Sequence, residues 1–276
     1  MSSRHRFQLY KLPRHLERVI IHARPSAHNK SPYLVDIQLA DGSIATCHNP
    51  ALACNGLVCP GAVAYVMPAA PDSKAVSKYT LYHIELSPAD TTEESADVVC
   101  VHPAVANEVA AGLIDQLLRF QEIRREVTCG DCRFDFAAET ADGRQVYLEV
   151  KNASIADTVN CLPADRKRAL KAAGPDAPLT AIFPYGNKPK AGLVSPRALK
   201  HAEGLARICK KAGPAAAYII YMSQRPDVER FKISALDPEY RAAVSAAAEA
   251  GVVVQAYSIR WIGRRAYLRK ALPIDL

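Results

Sequence analysis

The sequence predicts an α+β protein in two parts: an N-terminal all-β unit, then a mixed sheet flanked by helices. Three observations carry this. Residues 17–86 hold short extended runs broken by Pro, Gly, Asn and Asp, the grammar of a small barrel or sandwich. "SPADTTEESAD", 87–97, is polar and acidic without an apolar period, and reads as a linker. Beyond it, helical and strand periods alternate. The parts are therefore drawn as 1–86, a linker at 87–98, and 99–276.

In the first part the extended runs are "ERVIIHARP", "YLVDIQLADG", "SIATCHNP", "AVAYVMPA" and "YTLYHIEL". In the second, Val105, Val109, Leu113 and Leu117 recur every fourth position. That spacing predicts an amphipathic helix over 103–120, with Pro103 in its first turn. Three strands follow, "IRREVTC", "RFDFAAE" and "QVYLEVKN", joined by tight turns at "GD" and "TADG". "LTAIF" at 179–183 is a further strand. "SPRALKHAEGLARICKKAG" is a helix with Ser195 as N-cap, Pro196 at the first turn and Gly213 at its stop. The strand "AAYIIYM" comes next. A second helix repeats the grammar with Asp237, Pro238 and Gly251, and "VVVQAY" ends the set.

The 276 residues suffice for one or two domains, and 49% hydrophobic against 23% charged composition excludes wholesale disorder. No apolar run approaches a membrane span, and the N-terminus lacks an apolar signal core. The expected location is cytoplasmic, with reduced thiols and no membrane partner. Of eight cysteines, Cys129 and Cys132 form a lone CxxC without a second knuckle, so small buried thiols are expected rather than structural zinc. A formal net charge of +7 leans toward a polyanionic partner.

Residues two apart on a strand share a face, so Glu149 and Lys151 project together. Asp135 lies on the preceding strand, flanked by Phe134 and Phe136, and is expected to point away from their face toward Glu149. Glu126, one strand further back, is a third acid. Two carboxylates and a lysine on neighbouring strands suit metal-dependent phosphodiester cleavage. The carboxylates would hold Mg²⁺ or Mn²⁺ through hard oxygens, and the lysine would position water or stabilise the developing charge. The bland reading is a solvated Glu–Lys pair on an open sheet face, worth under about 1 kcal/mol. A helix before a three-strand meander is also the layout of the PD-(D/E)xK nuclease core.

The pieces "NEVAAGLI" from Asn107, "REV" and "CRFDF" between Arg125 and Phe136, "YLEVKNAS" from Tyr147, "SPRALKHAEGL" from Ser195 and "DPEYRAAVSAAAEAGVVVQAY" occur in one order. By these the chain resembles the sugar fermentation stimulation protein (SfsA) family over most of its length. The resemblance implies an N-terminal OB-like β-barrel and a C-terminal PD-(D/E)xK restriction-endonuclease-like α/β domain. It implies DNA binding with a regulatory role in sugar use. By position, Asp135, Glu149 and Lys151 match the acidic pair and lysine, Glu126 a recurrent acid, and Lys200 with His201 the family's "KH". Lys200 is then a phosphate contact; His201 is either a contact at the site or a helix-surface or interdomain residue. The barrel departs from the pattern at "CHNPALACNGL", where Pro50 and Ala51 replace an expected Thr-Gly.

For nucleic-acid contact, the tail "SIRWIGRRAYLRKALP" gathers Arg260, Arg264, Arg265, Arg269 and Lys270 around Trp261 and Tyr267, either as a binding element or as a solvated tail. Tyr33, Tyr65, Tyr79 and Tyr82 are candidate stacking platforms, and "DRKRALK" is a basic loop. The expectation is a nucleic-acid-binding protein with a metal-dependent DNA nuclease core, DNA being favoured over RNA. A non-catalytic DNA-binding regulator and an RNA-processing nuclease are the alternatives.

Overall fold

The structure, a computed structural model, describes residues 7–29, 31–52, 54–73, 77–86, 96–185, 192, 195–213 and 215–276. The mixed α+β class holds. Strands β1 (Gln8–Lys11), β2 (Glu17–Ala23), β3 (Leu34–Gln38), β4 (Ile44–His48), β5 (Val63–Pro68), β6 (Tyr79–Glu85) and β7 (Val98–Cys100) form the first part of the chain. β2 to β7 make a six-stranded sheet in the order β4-β3-β2-β5-β6-β7, and β4 also pairs in parallel with β6. That extra pairing closes β2 to β6 into a ring. Its interior is filled by alternating inward residues such as Val19, Ile21, Val35, Ile37, Leu81 and Ile84.

The second part starts with helix α1 (Val105–Leu113), which continues as one π-helical turn, Ile114–Leu118, and ends at Arg119 in the left-handed region. Strands β8 (Gln121–Cys129), β9 (Cys132–Glu139) and β10 (Gln145–Asn152) form the expected meander. Then come β11 (Ala156–Asp157), helix α2 (Arg166–Ala173), β12 (Thr180–Phe183), helix α3 (Pro196–Ala212), β13 (Ala217–Ser223), β14 (Arg230–Ile233), helix α4 (Pro238–Glu249), β15 (Val253–Ile262), β16 (Arg265–Ala271) and β17 (Ile274–Asp275). A seven-stranded sheet runs β1-β16-β15-β13-β10-β9-β8, with β10, β13 and β15 parallel at its centre. A separate four-stranded sheet runs β11-β12-β14-β17.

Two strands sit across the boundary drawn from sequence. β1 pairs with β16, so the N-terminal segment belongs to the seven-stranded sheet. β7 pairs with β6, so the start of the second part edges the six-stranded sheet. Most of the linker, 87–95, lies outside the described residues.

Several local expectations are corrected. The π turn shifts the helical period after Leu113, so Ile114 is buried and the expected stripe member Leu117 is 39% exposed. "DRKRALK" is no loop: it opens α2. β12 leaves the main sheet for the four-stranded one. Ser195 stands at the start of α3 without a side-chain cap bond, whereas Asp237 accepts from the Tyr240 N–H at 3.1 Å, as its position predicts. The basic C-terminal stretch is neither tail nor free element but the β15–β16 hairpin, and Trp261 in it is 1% exposed.

Helices α1 and α3 cover opposite faces of the seven-stranded sheet. α1 packs with Phe136, Ala138, Leu148 and Val150; α3 and α4 pack with Phe134, Ile219 and Tyr221. α3 comes close because Gly204 has no Cβ; one there would meet Cys132 Sγ at 2.8 Å. Cys47, Cys54, Cys100, Cys132 and Cys209 are buried, and burial pushes the Cys54 thiol up to about 11. Among the described residues no helix is long and apolar enough to cross a membrane.

Candidate active site

The site forms where β9 and β10 part. Their ladder runs from Gln145↔Glu139 to Leu148↔Phe136 and ends there. Asp135 is the next residue on β9. Phe134 and Phe136 flank it, yet they do not share a face: Phe136 packs in the α1 core and Phe134 in the α3 core. The strand therefore turns over at Asp135, and Glu126 opposite it takes a left-handed backbone with φ 53°. This corrects the expectation that Asp135 points away from a common phenylalanine face.

With the backbone ladder gone, the Asp135 side chain takes over. Its Oδ2 accepts from the Val150 N–H at 2.8 Å, and Oδ1 accepts from Asn107 Nδ2 on α1 at 3.0 Å. A carboxylate thus stands between two diverging strands and the first turns of a helix. Burial first, then the Glu149 charge, push the Asp135 carboxyl above its ordinary value, against the Val150 N–H, Asn107 and Lys151.

Glu149 and Lys151 do share a face, and it is not open. Helix α3 covers it, and the side chains are only 5% and 11% exposed. Lys151 Nζ donates to Glu149 Oε1 at 2.5 Å. His201 Nδ1, from α3, lies 2.6 Å from the same oxygen, without the alignment of a hydrogen bond. Burial pushes the Glu149 carboxyl up, but His201 and Lys151 outweigh it and hold it below the ordinary carboxylate range. Its second oxygen, Oε2, is buried with no protein partner among the described residues. An unpaired buried carboxylate oxygen is costly unless something else satisfies it.

The remaining sequence candidates scatter. Glu126 turns its half-exposed carboxylate to Arg133 Nε at 3.0 Å and does not join Asp135 and Glu149. His201 is buried behind Glu149 and flanked edge-on by Phe134, so it is neither a phosphate contact nor a surface residue. Lys200, one position along, is exposed and lies 3.4 Å from Asp131. Arg260 pairs with Asp97 at 3.1 Å, Arg264 reaches the Pro13 carbonyl at 3.4 Å, and Arg265 opens β16. β13 separates their strands from β10, so none of the three meets the carboxylates. Trp261 tilts against His83, with ring centroids 4.8 Å apart, inside the contact between the two parts. Tyr65 is buried with its hydroxyl on Glu85, and Tyr82 stacks on His102. Of the four tyrosines, Tyr33 alone is exposed, at 51%.

Asn107 was not singled out from sequence. In the first turns of a helix an Asn reads as local turn chemistry; its target sits 28 residues away on another element. The one available signal is its place beside the apolar stripe of α1.

The fold and the site together define a mixed α+β protein with one buried carboxylate, one half-buried carboxylate and a lysine at a strand divergence. The chain belongs to the sugar fermentation stimulation protein family. The family model described as the "Sugar fermentation stimulation protein RE domain" matches residues 101–172 and 189–264. A sugar fermentation stimulation protein homolog of Rhodospirillum centenum is 31% identical over 224 residues, covering 80% of this chain and 82% of the relative. One from Jannaschia sp. is 29% identical over 248 residues, covering 88% and 90%. Among solved structures, Pyrococcus furiosus SfsA, in complex with Ca²⁺, matches with a TM-score of 0.70 at 17% identity, across 98% of this chain and 100% of that one.

Proposed function

We propose that the protein is a nucleic-acid phosphodiesterase of the PD-(D/E)xK type, with Asp135, Glu149 and Lys151 as its catalytic set and an OB-like barrel beside it. The observation that carries this is the Glu149 Oε2 atom, buried and unpartnered next to a second carboxylate whose charge it opposes. A divalent ion would relieve both defects. Mg²⁺ and Mn²⁺ take hard oxygens, commonly one or two carboxylates with waters and phosphate completing the shell. The donors would be Asp135 and Glu149, whose charges act on each other, with waters and phosphate completing the shell. The Ca²⁺ complex of the Pyrococcus relative supports a divalent ion of this kind. Bound, the ion would acidify water and neutralise phosphate charge. Around it, Asn107 and the Val150 N–H fix Asp135, His201 holds Glu149, and Lys151 stands ready to leave Glu149 for the scissile phosphate. The parallel β4–β6 pairing that closes five strands into a ring supports the OB-like reading of the barrel.

The test is cleavage of labelled DNA, and of RNA in parallel, with Mg²⁺ or Mn²⁺. Asp135→Ala and Lys151→Ala should each lower the rate at least about 100-fold. Activity unchanged by both removes the site assignment. A second reading, a DNA-binding regulator without catalysis, draws on the near-complete burial of Glu149 and its engagement by Lys151 and His201. It requires salt-dependent DNA binding that survives Asp135→Ala and needs no divalent ion.

Asn107→Ala should leave the fold intact and weaken Mn²⁺ binding about 10- to 100-fold, the usual cost of losing a residue that orients a metal-bound carboxylate. Calorimetric titration with Mn²⁺ reads this directly; an unchanged affinity means Asn107 does not orient Asp135.

A further inference from the structure

Past Lys151, β10 ends on Asn152. Side chains alternate along a strand, so Asn152 lies on the opposite face from Lys151, the face of Leu148 and Val150 that packs with α1. On that side Asn107 of α1 holds Asp135 Oδ1. Asn152 is half-buried. Its Oδ1 accepts twice, from Ser154 Oγ at 2.8 Å and from Gln224 Nε2 at 3.5 Å. With the carboxamide oxygen held by both, the Nδ2 end is aimed the other way, and it has no hydrogen-bond partner among the described residues.

The two groups that hold Asn152 are themselves fixed by one residue. Cys100, at the end of β7, donates its N–H to the Gln224 carbonyl at 3.0 Å, and its own carbonyl lies 3.4 Å from Ser154 Oγ. Gln224 is fully buried, yet its Oε1 has no protein partner among the described residues. A buried acceptor without a donor costs stability. Folding alone would favour an apolar side chain there, so the amide is kept for what it does to Asn152.

The backbone adds a second donor. The Val150 N–H faces the side that β9 has left, where Asp135 takes it. The Asn152 N–H, two residues on, faces the same side, past the last ladder pair at Leu148↔Phe136. Two residues span about 7 Å of strand, so one phosphate group can touch both an ion at Asp135 and the Asn152 donors.

We infer that Asn152 is a substrate-binding residue of this site. Its Nδ2, with its backbone N–H beside it, donates to a non-bridging oxygen of the phosphodiester held at Asp135 and Glu149, while Lys151 approaches from the opposite face. Ser154 and Gln224 are positioning residues that hold the amide in this orientation. The inference rests on the phosphodiesterase reading above and adds an uncharged contact to it.

Fluorescence anisotropy of a labelled oligodeoxynucleotide tests it, with Ca²⁺ in place of Mg²⁺, alongside calorimetric titration with Mn²⁺ and thermal melts. Losing a hydrogen bond to a charged group costs a factor of about 10 to 100. Asn152→Ala should weaken oligonucleotide binding by that factor and leave Mn²⁺ affinity unchanged. Asn152→Asp keeps the shape but sets a carboxylate against the phosphate, so it should weaken oligonucleotide binding further while binding Mn²⁺ no worse. Gln224→Met removes the orphaned acceptor, so it should melt no lower than wild type and still weaken oligonucleotide binding. If Asn152→Ala binds the oligonucleotide as tightly as wild type, Asn152 is no contact and the phosphodiesterase reading stands. If its Mn²⁺ affinity falls in step, Asn152 acts through the carboxylates and the assignment is equally wrong. Should Asn152→Ala fail to fold, wild-type binding by Gln224→Met overturns the proposal instead. If wild type binds neither DNA nor RNA, the functional reading falls and the Asn152 contact with it.

Discussion

On the proposed function, Asp135→Asn will abolish metal-dependent cleavage and at the same time raise the melting temperature of the metal-free protein at pH 7. Most substitutions of a half-buried, doubly hydrogen-bonded residue destabilise, so the sign is diagnostic. The argument is electrostatic. Burial and the nearby Glu149 hold the Asp135 carboxyl above its ordinary value. A raised folded-state pKa favours the neutral form, so its stabilising effect is complete below the unfolded value and is lost as pH rises through the folded one. Ionising Asp135 is therefore a cost to the apo fold. Asparagine removes the charge and keeps both hydrogen bonds: its carbonyl accepts from Val150, and its amide donates once Asn107 turns its own carbonyl inward.

The gain must shrink in acid, where Asp135 is already neutral. Glu149 behaves oppositely. Its carboxyl is held low by His201 and Lys151, so its stabilisation is present above the unfolded carboxylate value and fades as pH falls through the folded one. Thermal melts of wild type and Asp135→Asn from pH 7 toward pH 4 should converge. Adding Mn²⁺ at pH 7 should raise the melting point of wild type only. A variant that melts below wild type at pH 7 refutes the claim that this site stores charge for an ion.

How much of this was legible in the sequence depends on the range of the interactions. The α3 segment, from Ser195 to Gly213, carries its own start, stop and period, so local propensity placed it. The β8–β9–β10 meander was readable because its turns are tight and its alternation is clean. Pairing of β1 with β16 joins residues more than half the chain apart, and nothing local to "QLYK" announces it. The strand reversal at Asp135 was hidden for the same reason. Alternation assigns Phe134 and Phe136 to one face, and only the presence of two cores, one under α1 and one under α3, sends them to opposite ones. The residue types of the site were legible; their environment was not. Glu149 and Lys151 could be read as a site or as surface charges until α3 was laid over them, and His201 as a site contact or a surface residue until its helix face was fixed. Arg260 and Arg269 of the β15–β16 hairpin erred the other way, since their acidic partners, Asp97 and Glu229, come from distant segments.

Gly112→Ala will destabilise the protein by about 2 kcal/mol or more, although helix propensity alone predicts a gain of about 1 kcal/mol. Gly112 lies in α1 where the helix crosses β1. A Cβ built there would stand 1.9 Å from the Leu9 carbonyl oxygen and 2.7 Å from its carbon. These are backbone atoms, so no rotamer change can relieve the clash; the strand itself must move. β1 is held by its pairing with β16 and by Gln116 Nε2, which donates to the Gln8 carbonyl at 2.8 Å. Moving it breaks those bonds and uncovers the core around Leu9 and Leu12, so overpacking outweighs the helix term. Urea unfolding measures the loss, and amide exchange should show β1 opening first; a variant as stable as wild type would refute the close approach of α1 to β1. If α1 shifts instead of β1, Asn107 shifts with it, because both residues ride on the same short helix. Asp135 then loses its Oδ1 partner, and a methyl group added beside the N-terminal strand is felt as weaker divalent-ion binding at the strand divergence.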